Sequence, residues 1–147
     1  MAMEYDKDYY GWLTQQAALL RAGRLSEADI EHIAEELEDM GKSEARGLKS
    51  QLARLLKHLL KWVHQPDLRE QQKNSWRASI RDARRKVWEC LEENPSFKPK
   101  LPEFFLKSYI DAIDEAVEET NLPESRFPSQ CPWTPEQVMD DQFWPEG

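Results

Sequence analysis

The amino-acid sequence predicts an all-α protein: an up-and-down bundle of four main helices around one long helix, with a short helix near the C-terminus. Between residues 30 and 62, small and apolar residues recur at steps of three or four, the spacing of one helical face. Three further stretches show this period, and none shows the alternation typical of a strand. A length of 147 residues suits a single helical domain over residues 1–147.

The first predicted helix covers residues 6–22. Its apolar residues, among them Tyr9, Trp12 and Leu13, fall on one helical face, and Gly23 suits the positive φ of a helix end. The connection to the next helix is short, which predicts an antiparallel hairpin with the first half of the long helix.

The long helix is predicted over residues 26–65. Ser26 is placed to cap its first turn, and Pro66 ends it because the residue before a proline avoids the α region. The apolar phase continues across Gly41 and Gly47, which predicts an unbroken helix although each glycine costs about 1 kcal/mol relative to alanine. We expect these glycines to mark a place where another backbone packs closely.

Three more helices follow, over residues 68–93, 102–120 and 134–141. Pro102 suits the first turn of the second of these, and Thr134 suits the cap of the last. The segment before Thr134 is rich in proline and lacks periodicity, so we expect an extended strap over the bundle. The apolar stripe of helix 68–93 consists of Trp76, Ile80, Ala83, Val87 and Leu91.

Composition excludes several classes of protein. No stretch approaches the roughly 20 apolar residues of a membrane span, and the formal net charge of -8 argues against a general affinity for nucleic acid or anionic lipid. The first residues do not resemble a signal peptide. With only two cysteines, Cys90 and Cys131, we expect a cytoplasmic protein with reduced thiols and no membrane association.

The charges are arranged in blocks along the chain. Residues 26–41 hold seven acids and no Lys or Arg, residues 42–86 hold thirteen Lys or Arg and four acids, and residues 101–147 hold eleven acids and two bases. One interpretation is internal: acids at the start and bases at the end of the long helix suit its dipole, and acidic segments lie over a basic middle. The other is a basic face for an anionic partner.

Four stretches of the sequence carry a family resemblance. They are YDKDYYGWLTQQAALLRAGRLSEAD, EELEDMGKSEARGLKSQLARLLKHLLKW, SWRASIRDARRKV and CPWTPEQVMDDQFWP. In this order, over nearly the whole chain, they resemble the bacterial family called domain of unknown function 29. The resemblance implies an all-helical soluble protein of similar length without an established biochemical role. It supplies no catalytic or ligand residues.

The acidic start of the long helix contains weak candidates for a metal site: Asp29, His32 and Glu36. The spacing of Asp29 and His32 puts a carboxylate and an imidazole on one face, which is half of a carboxylate-bridged di-metal site. A second such pair is missing, because His58 has no acid three or four residues away and His64 is separated from one by a proline. We therefore favour a solvated acidic face and expect neither metal nor cofactor.

An arginine row is the best functional candidate. It consists of Arg77, Arg81, Arg84 and Arg85, beside the Trp76 stripe. Guanidinium groups bind phosphates and carboxylates in a bidentate way, so this row is a candidate partner surface. The alternative is an internal lattice of salt bridges with the acidic helices.

These observations favour a non-enzymatic interaction module that binds another protein through the arginine row or through the junction of the acidic and basic halves. The alternatives are nucleic-acid binding through the arginine-rich helix and a metal-dependent enzyme that uses the acidic start of the long helix. We expect an elongated monomer, with a weak homodimer through the middle of the long helix as the alternative. Six tryptophans either pack the core or, where exposed, mark a partner surface: Trp12, Trp62, Trp76, Trp88, Trp133 and Trp144.

Overall fold

The computed structural model describes residues 4–146 and, over that range, contains helices and no strand. Residues 1–3 and 147, which the predicted domain includes, lie outside the described residues. The all-α prediction is confirmed, with four long helices and a short fifth. The helices are α1 (Tyr9–Arg21), α2 (Ile30–His64), α3 (Pro66–Glu93), α4 (Leu101–Thr120) and α5 (Pro135–Val138), with 3-10 turns at Leu25–Glu27, Pro95–Lys100 and Glu124–Arg126.

The first two helices begin later than predicted, in both cases just after an aspartate. The Asp8 carboxylate accepts a hydrogen bond from the Gly11 amide at 3.0 Å, so α1 begins at Tyr9. Asp29 accepts one from the His32 amide at 3.3 Å. The prediction that Ser26 caps the long helix is therefore wrong, because the chain first makes a 3-10 turn and Asp29 caps the helix instead.

α2 is continuous through both of its glycines, as predicted. The expectation of a close backbone contact there is wrong: a Cβ built at Gly41 or at Gly47 would meet no heavy atom within 4 Å. Both glycines therefore face open space, and no other backbone packs closely against them. The left-handed Asn121 ends α4 at φ 60°, and a capping box of Thr134 and Gln137 starts α5.

The chain divides into two compact units, Met1–Glu44 and Ala45–Gly147, and α2 runs through the boundary. The C-terminal unit has an extensive apolar core to which the second half of α2, α3 and α4 all contribute. Val138 and Phe127, from the segment after α4, are also buried in it. Typical core residues are Leu52, Leu56, Leu59, Ile80, Val87 and Ala112.

The N-terminal unit is built differently. Within residues 4–44, Trp12 and Gln16 are the buried residues. The Trp12 indole donates to Asp29 at 3.1 Å, and the Gln16 side chain accepts from the Asp29 amide at 2.7 Å. Polar and aromatic contacts, rather than an apolar core, therefore hold α1 against the start of α2.

None of the helices within residues 4–146 combines the length and the apolar run that crossing a membrane requires.

Candidate interaction surface

The arginine row is divided by the fold. Arg84 is 1 % exposed, with its Nε donating to the Val138 carbonyl at 2.8 Å and its Nη2 to the Phe143 carbonyl at 2.7 Å. Burial lowers the pKa of this guanidinium. Arg84 therefore holds the C-terminal segment of its own chain and lies in the interior, where no partner can reach it.

Trp144 brings three arginines of the row together. The guanidinium carbons of Arg77, Arg81 and Arg84 lie 5.0, 5.9 and 5.5 Å from the centre of its ring. Arg77 Nε and Arg84 Nη1 are buried without a hydrogen-bond acceptor among the described residues. The electron-rich face of the indole is the compensating group. In the sequence, the tryptophan of the tail DQFWP is what points to this contact between Trp144 and the arginines. The spacing of the arginines alone does not identify their aromatic partner.

Arg85, the fourth member of the row, lies on the surface and is paired with acids. Its guanidinium donates to Asp82 at 2.6 Å and to Glu89 at 2.9 Å. Asp82 also accepts a hydrogen bond from Arg54 at 2.7 Å. The hydrogen bond from Arg54, which has the largest effect, and the one from Arg85 hold the pKa of Asp82 well below the usual range. This part of the basic block is a local ion-pair network, and the acids that pair with Arg85 belong to its own helix rather than to the acidic segments.

Two of the three candidate metal ligands, Asp29 and His32, bind each other directly. The His32 Nδ1 lies 2.7 Å from Asp29 Oδ2. This hydrogen bond raises the pKa of His32 and lowers that of Asp29. The Tyr5 ring stacks on the imidazole with 4.2 Å between ring centres.

Glu36, the third candidate ligand, is bound by two tyrosines. The hydroxyl groups of Tyr5 and Tyr9 each donate to one of its oxygens, which lowers the pKa of Glu36 and raises that of Tyr5 to about 12. Within residues 4–146, no group of three or more His, Cys, Asp or Glu side chains is placed to hold a metal ion. The acidic cluster acts as a clasp between α1 and α2.

The first half of α2 carries an exposed apolar surface that the apolar periodicity did not single out. Leu48 belongs to the apolar face of α2 and is buried, but Ile30, five helical turns earlier on the same face, is 54 % exposed. Leu37 and Met40 are each 64 % exposed. We call this surface the exposed stripe, and it consists of Ile30, Ala34, Leu37, Met40 and Gly41.

α1 leaves the exposed stripe uncovered because it contacts a different face of α2. Its side chains donate hydrogen bonds to Asp29 and Glu36, and its Trp12 ring packs against the His32 ring. The hydrogen bonds of the clasp fix which face of α2 lies against α1. The sequence feature that points to this contact is the combination of aromatic residues in the first helix with acids at the start of the second.

Acidic side chains border the exposed stripe. Over residues 26–41 the chain has seven acids and no Lys or Arg. Glu31, Glu35 and Glu38 are all exposed on α2. The surface is therefore an apolar ridge bordered by exposed acids, and residues 26–41 contain no Lys or Arg to pair with them.

The family model described as Domain of unknown function DUF29 matches residues 4–144. Neither the curated proteins nor the solved structures contain a match to the chain. The match covers almost the whole chain, which confirms the resemblance seen in the sequence. The chain belongs to the DUF29 family.

Proposed function

We propose that this member of the DUF29 family is a non-enzymatic interaction module that binds another protein through the exposed stripe. One observation carries the proposal: the same face of α2 is buried at Leu48 and beyond but bare at Ile30, Leu37 and Met40. Large exposed apolar residues in a contiguous row are typical of protein interaction sites.

The two units differ in how much apolar surface they bury. Burying a large apolar side chain stabilises by about 1.5 to 3 kcal/mol, so covering Ile30, Leu37 and Met40 yields several kcal/mol before the cost of association. The N-terminal unit has little apolar burial of its own. A partner that covers the stripe would complete its core.

The acidic border indicates which partner fits. An amphipathic helix with an apolar row and flanking Lys or Arg matches both the spacing and the charge of the exposed stripe. A second copy of the stripe matches the spacing but brings the exposed acids Glu31, Glu35 and Glu38 of one copy against those of the other. We therefore propose a basic amphipathic helix of another protein as the partner, and a monomer in its absence.

The state of the reactive groups supports a non-enzymatic role. The candidate acid and base groups Asp29, His32 and Glu36 are all hydrogen-bonded within the clasp. Burial raises the pKa of the Cys131 thiol, which keeps it protonated and a weak nucleophile. Nucleic-acid binding through α3 has less support, because Arg84 is buried and Arg85 is paired.

The test is a titration with a labelled synthetic peptide that forms a basic amphipathic helix, followed by fluorescence anisotropy. We expect saturable binding that weakens as salt increases, and at least about tenfold weaker binding by Leu37→Glu, since tenfold corresponds to about 1.4 kcal/mol. The matched control is Leu68→Glu, which makes the same change at an exposed leucine of α3 and is expected to bind as the wild type does.

A second peptide with the same composition in scrambled order separates recognition of the stripe from simple charge attraction. Equal affinity for both peptides, or equal weakening by Leu37→Glu and Leu68→Glu, would show that the exposed stripe is not the binding surface.

A further inference from the structure

A groove lies on the C-terminal unit between α4 and the segment that leads into α5. Its volume is about 650 Å³. Phe105 and Tyr109, both buried, form the floor, and Leu106 and Ile110 form one wall with 67 % and 63 % of their surfaces exposed. Trp133 belongs to the opposite wall.

The opposite wall is fixed in place rather than loosely attached. The Tyr109 hydroxyl donates to the Pro128 carbonyl at 2.6 Å, and the Trp133 ring packs against Phe143 with 6.1 Å between ring centres. At the far end, the capping box of Thr134 and Gln137 starts α5. The groove is therefore a formed concavity with an ordered wall on each side.

The lining carries no charge. Eleven residues line the groove, and none of them is Asp, Glu, Lys, Arg or His, although 33 % of the chain is charged. The hydroxyl of Thr134 already accepts a hydrogen bond from the Gln137 amide at 3.1 Å. An ionic ligand would lose its hydration here without gaining an ion pair.

We propose that this groove binds a small, uncharged and largely apolar molecule. The volume lies within the roughly 300 to 1,000 Å³ of small-molecule sites, which combine apolar walls with few polar groups. A peptide strand fits less well, because Ser129, Gln130 and Thr134 are the polar side chains of this lining and are too few to pair all of its backbone amides and carbonyls. The site lies on the other unit from the exposed stripe and is independent of the proposed function.

The probe for the test is N-phenyl-1-naphthylamine, a neutral apolar dye whose fluorescence rises in apolar surroundings. We expect saturable binding of one dye per chain. Ile110→Asp places a charge in the exposed wall and is expected to weaken dye binding at least tenfold. Leu68→Asp, which changes an exposed leucine of α3 outside both the groove and the exposed stripe, is the control and is expected to leave dye binding unchanged.

A second readout uses Cys131, which lines the groove. In a Cys90→Ala background, we expect saturating dye to slow alkylation of Cys131 by N-ethylmaleimide several-fold. Dye binding that Ile110→Asp leaves unchanged, or alkylation that the dye does not slow, would overturn the proposal. Light scattering gives a further test. A mass of two chains that returns to the mass of one chain in Ile110→Asp would also overturn the proposal, because a second copy would then occupy the groove.

Discussion

Arg84 shows how one side chain attaches the C-terminal segment to the core. Its guanidinium reaches two carbonyl groups, of Val138 and Phe143, that come 54 and 59 residues later in the chain. Trp144 covers the guanidinium, and Trp62 packs against the same indole with 5.2 Å between ring centres. The charge remains buried because hydrogen bonds and an aromatic face replace its hydration.

Replacing Arg84 by methionine, which is long and apolar, is expected to lower the free energy of unfolding by about 2 to 4 kcal/mol. The reason is that both carbonyl groups lose their donor in the interior. The measurement is chemical denaturation followed by circular dichroism. The matched change Arg85→Met removes exposed ion pairs and is expected to cost at most about 1 kcal/mol; equal effects of the two changes would contradict the role given to Arg84.

His32 is expected to titrate above the ordinary histidine pKa of 6.5, and His58 and His64 are expected to titrate below it. The hydrogen bond to Asp29 raises the pKa of His32, whereas burial lowers those of His58 and His64. Proton NMR of the imidazole rings measures all three in one sample. Asp29→Asn is expected to return the His32 pKa toward 6.5, and an unchanged value in that variant would show that the clasp does not set it.

The sign of these shifts fixes the pH dependence of the clasp. Because the folded pKa of His32 is raised, its contribution to stability is fully present below pH 6.5 and is lost as the pH rises through the folded pKa. The lowered pKa of Asp29 gives a contribution that is present above 3.8 and lost as the pH falls through its folded pKa. The clasp is therefore strongest in mildly acidic solution.

Among the helices, α2 illustrates what periodicity predicts and what it omits. Its length, its continuity through two glycines and the burial of residues such as Leu52 and Leu59 follow from the apolar repeat. The rotation of α1 about α2 does not follow, because hydrogen bonds to Asp29 and Glu36 decide it. Such bonds depend on where side chains meet in space and leave no period in the sequence.

Gly41 is expected to be a site where substitution stabilises the protein. A Cβ at this position would lie in open space, so Gly41→Ala gains helix propensity and should raise stability by up to about 1 kcal/mol. Thermal unfolding followed by circular dichroism measures the change. Gly23→Ala is the contrasting variant: its φ of 73° strains any side chain, so it should destabilise. A less stable Gly41→Ala protein would instead indicate a close contact at α2.

At the scale of the whole molecule, the fold brings some of the oppositely charged blocks of the chain together. In the C-terminal unit, acids of α4 pair with bases of α2, as in the contact of Lys57 with Glu119 at 3.0 Å. The acids around the exposed stripe have no such cations among residues 26–41. Sequence reasoning predicted the first arrangement, since opposite blocks attract. It could not predict that Glu31, Glu35 and Glu38 would lie exposed beside an apolar stripe.

The isolated chain is expected to be a monomer, because two copies of the exposed stripe repel each other through their acids. Light scattering at micromolar concentration should give the 17.4 kDa of one chain. Twice that mass at low salt would contradict the charge argument. A dimer that formed through the exposed stripe would be lost in Leu37→Glu.

The most direct test of the exposed stripe as a protein-binding surface is photocrosslinking inside the native cell, with a photoreactive phenylalanine analogue in place of Leu37. The same analogue at Leu68 is the control. We expect a crosslink at position 37, absent at position 68, whose attachment point lies on the apolar face of a basic amphipathic helix in one other protein. Crosslinks that are identical at the two positions, or that join two copies of this chain, would contradict the account.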